Sequence, residues 1–361
     1  MLKRNDNLIV NRGLDPLQVQ CYTAPIVNDN QSFIDNLTIE GILPPNPPFE
    51  LHPYISELHL EKYEKYIIGT FPPISYILDH PAIIIPIVGI PTRPWIPFYH
   101  GNRGSMWEYL LTNPEYAALE AIIPLPNNLN PAPARIAAKN FLIAFLQKEK
   151  INYSDIIQSV QRVQYNANDT GLRNICINKD LICHILTNEN AKYLLFNTGS
   201  TFSAQGLQIH QNANVNGVVG NVNVAKSQAF DLFVRGCQDM GLTVAIRIQH
   251  GPTLHFNWTT INIPNTPFLQ TQMHNKVAFE IQVSNPNNLK LPCGEFKSPK
   301  ILTVITGPSP SPIALLGLAN NQNYLNWVMV NPGANQHDFI EFIYQNFRGH
   351  INLDNFYDLN V

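Results

Sequence analysis

The chain has 361 residues, of which 45% are hydrophobic and only 14% charged, with 23 Lys and Arg against 26 Asp and Glu for a formal net charge of −3. That length and apolar fraction suit one large or two ordinary domains with a buried core, and exclude a disulfide-stapled miniprotein. The slightly acidic balance excludes a surface coated for bulk attraction to polyanions but not a local nucleic-acid cleft, and no run approaches the roughly 18 apolar residues of a membrane span.

Residues 1–50 read as an irregular extension. Met1–Asn7 is charged and lacks the following apolar region of a leader peptide. Leu43-Pro44-Pro45-Asn46-Pro47-Pro48 closes the extension, because successive prolines block helix and ladder alike. The globular domain is expected over residues 51–350, with a tail at 351–361. Tyr54 to Tyr66 carries apolar residues at helical spacing, and Tyr66-Ile67-Ile68-Gly69 reads as a short buried strand. Met106–Leu111 and Pro114–Ile123 read as helices. Ala134–Lys150 is the clearest amphipathic helix, with Ile136, Phe141, Ala144 and Phe145 expected on the core face. Ser154-Asp155-Ile156-Ile157 predicts a helical turn capped by Ser154 or Asp155. Leu181–Leu186 is expected to be helical, and Lys192–Phe196 forms a second buried strand stopped by Asn197-Thr198-Gly199-Ser200.

Ser203–Val224 is rich in Asn, Gln and Gly and reads as an insertion. Lys226–Met240 predicts a helix with Gly241 as its terminating glycine, and Thr243–Ile248 a strand. Phe256–Asn288 reads as irregular, with extra strands possible within it. Lys300–Ile305 is a further strand, broken at Thr306-Gly307-Pro308, and Asn321–Met329 and His337–Asn346 are closing helices. Short apolar strands alternating with helices predict an α/β fold, a mostly parallel sheet covered on both faces. Ligands in such folds sit beyond the carboxyl ends of the strands. The five cysteines are odd in number, widely spaced and without a CxxC pair. That pattern predicts free thiols in a reducing cytoplasm, and no zinc, iron–sulfur cluster or other cofactor.

Three loops carry the chemistry. The first is Gly69-Thr70-Phe71-Pro72-Pro73, the second Phe98-Tyr99-His100-Gly101-Asn102-Arg103-Gly104-Ser105-Met106-Trp107, and the third Thr306-Gly307-Pro308-Ser309-Pro310-Ser311-Pro312. Small residues at strand ends let backbone N–H groups approach an anion. Prolines hold such a donor array in place, and aromatics offer a stacking surface for a flat base.

A strand ending in Gly-x-x-Pro, then Phe-Tyr-x-Gly with Trp107 following, then a strand ending in Pro-Ser-Pro-Ser-Pro resembles the uracil-DNA glycosylase superfamily, closest to its hypoxanthine-DNA glycosylase-like branch. The resemblance spans roughly residues 60–348 and includes Asp155–Arg162, Asn197-Thr198-Gly199 and Ser227-Gln228-Ala229-Phe230. It implies a three-layer α/β/α sandwich and a monofunctional enzyme that flips a nucleotide from DNA and hydrolyses its N-glycosidic bond. It also implies that Ser309 and Ser311 pinch DNA phosphates, that Thr198 and Ser200 bind the backbone, and that Thr70, Phe71, Tyr99 and Asn168 line the base site. The chain departs from the family pattern where a first-loop carboxylate, a motif Asn and a histidine would stand: Thr70 and Phe71, Gly104, and Gly307 occupy those places. The water-orienting role therefore falls to Asp79 or Asp169, with Asn102 assisting. The expected partner is DNA, with no membrane and no obligate protein partner. The expected activity is excision of a damaged or modified base, a modified phage base in antiviral defence included. The alternative is a non-catalytic sensor of modified bases on the same scaffold.

Overall fold

The computed structural model describes residues 49–52, 54–55, 60–71, 96, 98–99, 106–125, 130–162, 172–197, 228–250, 254–255, 257–261, 277–291, 294–308, 315, 318–349 and 352–359. Its centre is a sheet of seven strands: β2 (Lys65–Gly69), β3 (Ile151–Asp155), β6 (Tyr193–Phe196), β7 (Thr243–Arg247), β10 (Thr259–Thr260), β11 (Ala278–Ser284) and β12 (Lys300–Thr306). The order across the sheet is β10-β7-β11-β12-β6-β2-β3. The pairs β12–β6, β6–β2 and β2–β3 are parallel, while β10–β7, β7–β11 and β11–β12 are antiparallel. Following these directions across the sheet, all but β10 and β11 point the same way.

Alternate residues of the strands enter different cores. Tyr66 and Ile68 of β2, Leu194 and Phe196 of β6, and Leu302 and Val304 of β12 join one cluster. It is covered by α4 (Lys179–Thr187) and α5 (Gln228–Asp239). Ile67, Leu195 and Ile305 join the other. That cluster includes side chains of α1 (Met106–Leu110), α2 (Asn113–Ile122), α3 (Ala132–Lys148), α6 (Gln322–Val330), α7 (Gln336–Arg348) and α8 (Leu353–Tyr357). A strand buried on both faces is apolar at consecutive positions, which is why Tyr66-Ile67-Ile68 reads as a run rather than an alternation. The arrangement is a helix–sheet–helix α/β fold.

Several expectations are corrected. Ser154–Ile157 is not a helical turn: Ser154 and Asp155 end β3, and the chain passes through Ile156 into β4 (Ile157–Arg162). β4 lies in a separate three-stranded antiparallel sheet with β1 (Phe49–Leu51) and β5 (Leu172–Ile177). β1 thus begins two residues ahead of the expected domain boundary. Tyr54–Tyr66 is not a continuous helix, since β2 already begins at Lys65. In α3 the buried residues are Arg135, Ala138, Leu142, Phe145 and Leu146; Ile136 is 54% exposed and Ala144 also faces outward. Within Phe256–Asn288, where the sequence allows extra strands, lies the seven-residue β11, which alternates buried and half-buried positions. Phe356, Tyr357 and Leu359 are buried, and the Asn323 amide donates to the Leu359 carbonyl. Cys176 and Cys183 are disulfide-bonded rather than free, which removes the thiol argument for a cytoplasmic site; Cys237 is free and buried. Short β8 (Gln249–His250) and β9 (Leu254–His255) form a hairpin beside the main sheet.

Candidate functional site

Strand β2 is followed in the chain by β3 on one side of it and later by β6 on the other. Such a reversal opens a crevice beyond the carboxyl ends of the two diverging strands. The register aligns those ends: Gly69 pairs with Asp155, Ile68 with Phe196, and Phe196 with Thr306. Asn197 and Gly307 continue the last two strands, and Gly307 N–H donates to the Phe196 carbonyl at 2.9 Å.

The residues at this end form a buried polar cluster. His52 Nε2 lies 2.8 Å from Asp155 Oδ2. The Tyr54 backbone N–H donates to His52 Nδ1 at 3.1 Å, so the ring hydrogen sits on Nε2 and His52 donates to the carboxylate. The two side chains are 0% and 6% exposed. On the other carboxylate oxygen, the Tyr153 hydroxyl donates to Oδ1 at 3.5 Å, the outer limit of a hydrogen bond. Asn197 Nδ2 donates to the Tyr153 hydroxyl at 3.4 Å and to Met106 Sδ at 3.6 Å. Burial pushes the Tyr153 phenol well above its ordinary pKa, and the neighbouring Asp155 adds to the rise against the opposing Asn197 hydrogen bond. Tyr153 therefore keeps its proton and acts as a donor.

Local structure explains these positions. Asn178 Nδ2 donates to the Asp155 carbonyl at 3.0 Å while Asn178 Oδ1 accepts the Leu181 N–H at 3.1 Å, so one side chain caps α4 and pins the corner after β3. The backbone of His52 donates to the Gln158 carbonyl at 2.9 Å, continuing the β1–β4 pairing past Leu51. That pairing delivers the imidazole to the corner. A Cβ at Gly69 would stand 2.2 Å from Asp155 Oδ1, 3.0 Å from the Tyr153 hydroxyl and 3.2 Å from Asn197 Oδ1. Only glycine leaves room for the Asp155 carboxylate at the end of β2.

Aromatic rings enclose the cluster. His52 meets Phe71 edge-on at 5.5 Å and Tyr99 at 5.2 Å, and Tyr99 meets Tyr153 at 4.4 Å. Trp107 Nε1 donates to the Tyr99 carbonyl at 2.7 Å, fixing the chain there. Tyr344, fully buried, has no hydrogen-bond partner for its hydroxyl, which lies 3.8 Å from a Cβ placed at Gly307.

Of the residues expected from sequence, Thr70, Phe71 and Tyr99 come together at this end: Phe71 and Tyr99 are buried and Thr70 half-buried, and the Thr70 carbonyl accepts the Ile157 N–H. Phe71 and Tyr99 both touch the ring of His52. Asp79, Asn102, Asn168, Asp169, Thr198, Ser200, Ser309 and Ser311 lie outside the described residues. Sequence reasoning missed His52 and treated Asp155 as a helix cap. The available signal was Gly69 at a strand end, which demands that some group fill the space of the missing side chain. Among the described residues no three His, Cys, Asp or Glu side chains are grouped to hold a metal ion, and no helix is long and apolar enough to cross a membrane.

Comparison of the chain with models of protein families, with curated proteins and with solved structures finds no match.

Proposed function

We propose that the chain is a DNA glycosylase that extrudes a damaged or modified nucleotide and hydrolyses its N-glycosidic bond, leaving an abasic site. The observation that carries this reading is the convergence of Gly69-Thr70-Phe71, Tyr99, Asn197 and Thr306-Gly307, each from a segment that resembles a glycosylase motif, on the carboxyl-end crevice of one sheet. Base excision passes through a cationic sugar and a departing anionic base. The carboxyl end of the sheet brings together a carboxylate, an amide, phenol hydroxyls and aromatic rings, all buried, and such groups act most strongly away from water.

In this reading Asp79 or Asp169 orients the water with Asn102 assisting, Thr70, Phe71, Tyr99 and Asn168 line the base site, and Thr198, Ser200, Ser309 and Ser311 hold phosphates. The size of the chain suits an unusual or bulky base, such as a modified base of phage DNA. The test is mass-spectrometric detection of free base released from duplexes carrying uracil, hypoxanthine or hypermodified cytosine. Release from at least one substrate supports the reading; none from any, at enzyme excess and with measurable binding, contradicts it.

A second reading, a modified-base sensor without catalysis, is favoured by one observation. The ring meeting both Phe71 and Tyr99 is a side chain of the protein itself, His52. Binding that distinguishes modified from ordinary DNA, without release of base, is its signature.

A further inference from the structure

We propose that Asp155 is the anionic group at the carboxyl end of the sheet, set to stabilise the cationic sugar of a bound nucleotide, and that His52 is the positioning residue that holds its carboxylate in that direction. The inference rests on the glycosylase reading for its substrate, but it assigns a residue that none of the motifs in the resemblance singles out for chemistry.

Four observations carry it. First, Asp155 is the one acidic residue in the buried set among the described residues. Glu115 and Glu149, by contrast, are bound to Arg348. Second, the carboxylate does not stay on its own strand. It occupies the side-chain space of Gly69, so it lies over the end of β2. Third, its direction is set from both sides, by the His52 donor at 2.8 Å and by the more distant Tyr153 hydroxyl. A carboxylate has about four acceptor positions, so two such donors do not exhaust it. Fourth, His52 is held by the Tyr54 N–H, by the β1–β4 pairing and by two aromatic rings. A side chain locked in this way prepays the orientation of the group it binds.

A fixed negative charge in a low-dielectric site favours a positive charge that develops opposite it. The C1′–N bond breaks with both electrons going to the base nitrogen. The water oxygen bonds to C1′ and gives up a proton to solvent, and the departing base takes one from solvent, so one water is consumed. Asp155 transfers no proton in this scheme. It lowers the energy of the cationic sugar between the two events.

The test uses binding and so does not depend on turnover. Duplexes carrying a cationic pyrrolidine in place of the abasic sugar are compared with duplexes carrying neutral tetrahydrofuran at the same position. Wild-type protein is expected to bind the cationic duplex at least tenfold more tightly. Asp155→Asn should lose most of that preference. His52→Ala should lose part of it, and His52→Gln, whose amide supplies an N–H, should restore it. Equal affinity of the wild type for the two duplexes overturns the proposal without any variant. A preference retained in folded Asp155→Asn overturns it as well. Preference that depends on Asp155, in a protein that releases no base from any duplex, upholds the assignment of Asp155 and rejects the glycosylase reading.

Discussion

His52 Nε2 and Asp155 Oδ2 meet at 2.8 Å although 103 residues separate them. The contact joins the three-stranded sheet, through the residue after β1, to the carboxyl end of the seven-stranded one. Both partners are buried, so removing either leaves the other with a lost hydrogen bond and no water to replace it. His52→Ala is expected to destabilise the fold by about 2–3 kcal/mol, the cost of stripping a donor from a buried charged acceptor. Urea unfolding of the variant beside the wild type measures it. A loss within about 0.5 kcal/mol, the usual spread for surface substitutions, would show that the pair contributes nothing of this kind.

Gly69→Ala should be destabilising for a specific reason. Its Cβ would stand 2.2 Å from Asp155 Oδ1, and overpacking of this sort costs about 1–3 kcal/mol. The penalty should shrink in an Asp155→Ala background, because the clashing atom is gone. A double-mutant cycle reads the coupling, and additive effects would place the strain elsewhere.

At the amino end of the sheet, the Arg348 guanidinium grips Glu115 with two hydrogen bonds and Glu149 with a third, while Lys65 Nζ donates to the Arg348 carbonyl at 2.6 Å. Burial opposes ionisation of Glu115, but hydrogen bonds from Arg348 and Thr112 outweigh it and hold the carboxyl at about 2 against an ordinary 4.5. The folded value lies below the unfolded one, so this stabilisation is complete above pH 4.5 and is lost as pH falls toward about 2. Glu115→Gln should therefore flatten the fall in stability across that window and lower stability at neutral pH. Unfolding curves that stay parallel to the wild type from neutral pH down to about pH 2 would contradict the linkage.

Thiol labelling separates the cysteines. Cys176 and Cys183 are expected to resist alkylation until reduced. Burial pushes the Cys237 thiol far above its ordinary pKa and shields it from reagent, so Cys237 should label only on unfolding. Peptide mapping after native, denatured, and denatured-and-reduced alkylation checks each site. Labelling of Cys176 or Cys183 without reductant would return the free-thiol expectation.

The serine–proline loop is expected to grip phosphate. Ser309→Ala with Ser311→Ala should weaken DNA binding uniformly across sequences, by about 1.5–3 kcal/mol for each hydrogen bond lost to a charged group. Fluorescence anisotropy on several unrelated duplexes measures it, and unchanged affinity would remove these serines from the interface.

The sequence made some parts of the fold legible and hid others for physical reasons. β2, β6 and β12 are visible because a strand covered on both faces is an apolar run bounded by small residues. β4 is hidden because Ser154-Asp155 ahead of two isoleucines imitates a helix cap; the residues in fact end one strand and turn the chain into another sheet. α3 is visible as a helix, but its buried face is displaced, since Ile136 is exposed while Arg135 is buried. β11 alternates in the manner of a half-buried strand and lies in a stretch whose prolines and asparagines mask it. At the site, Gly69, Phe71 and Tyr99 are local signals. The pairing of His52 with Asp155 is not, because it depends on two sheets meeting at a corner, and no periodicity within either segment encodes it.

The most direct measurement of the central claim is single-turnover base excision by wild type and by Asp155→Asn, on the duplex that releases the most base, with DNA affinity measured alongside. A measurable rate is expected in the wild type and a loss of about a hundredfold or more in the variant, the scale of removing one preorganised electrostatic group. A folded Asp155→Asn protein that excises base at the wild-type rate, or a wild type that binds every duplex and excises from none, would contradict it.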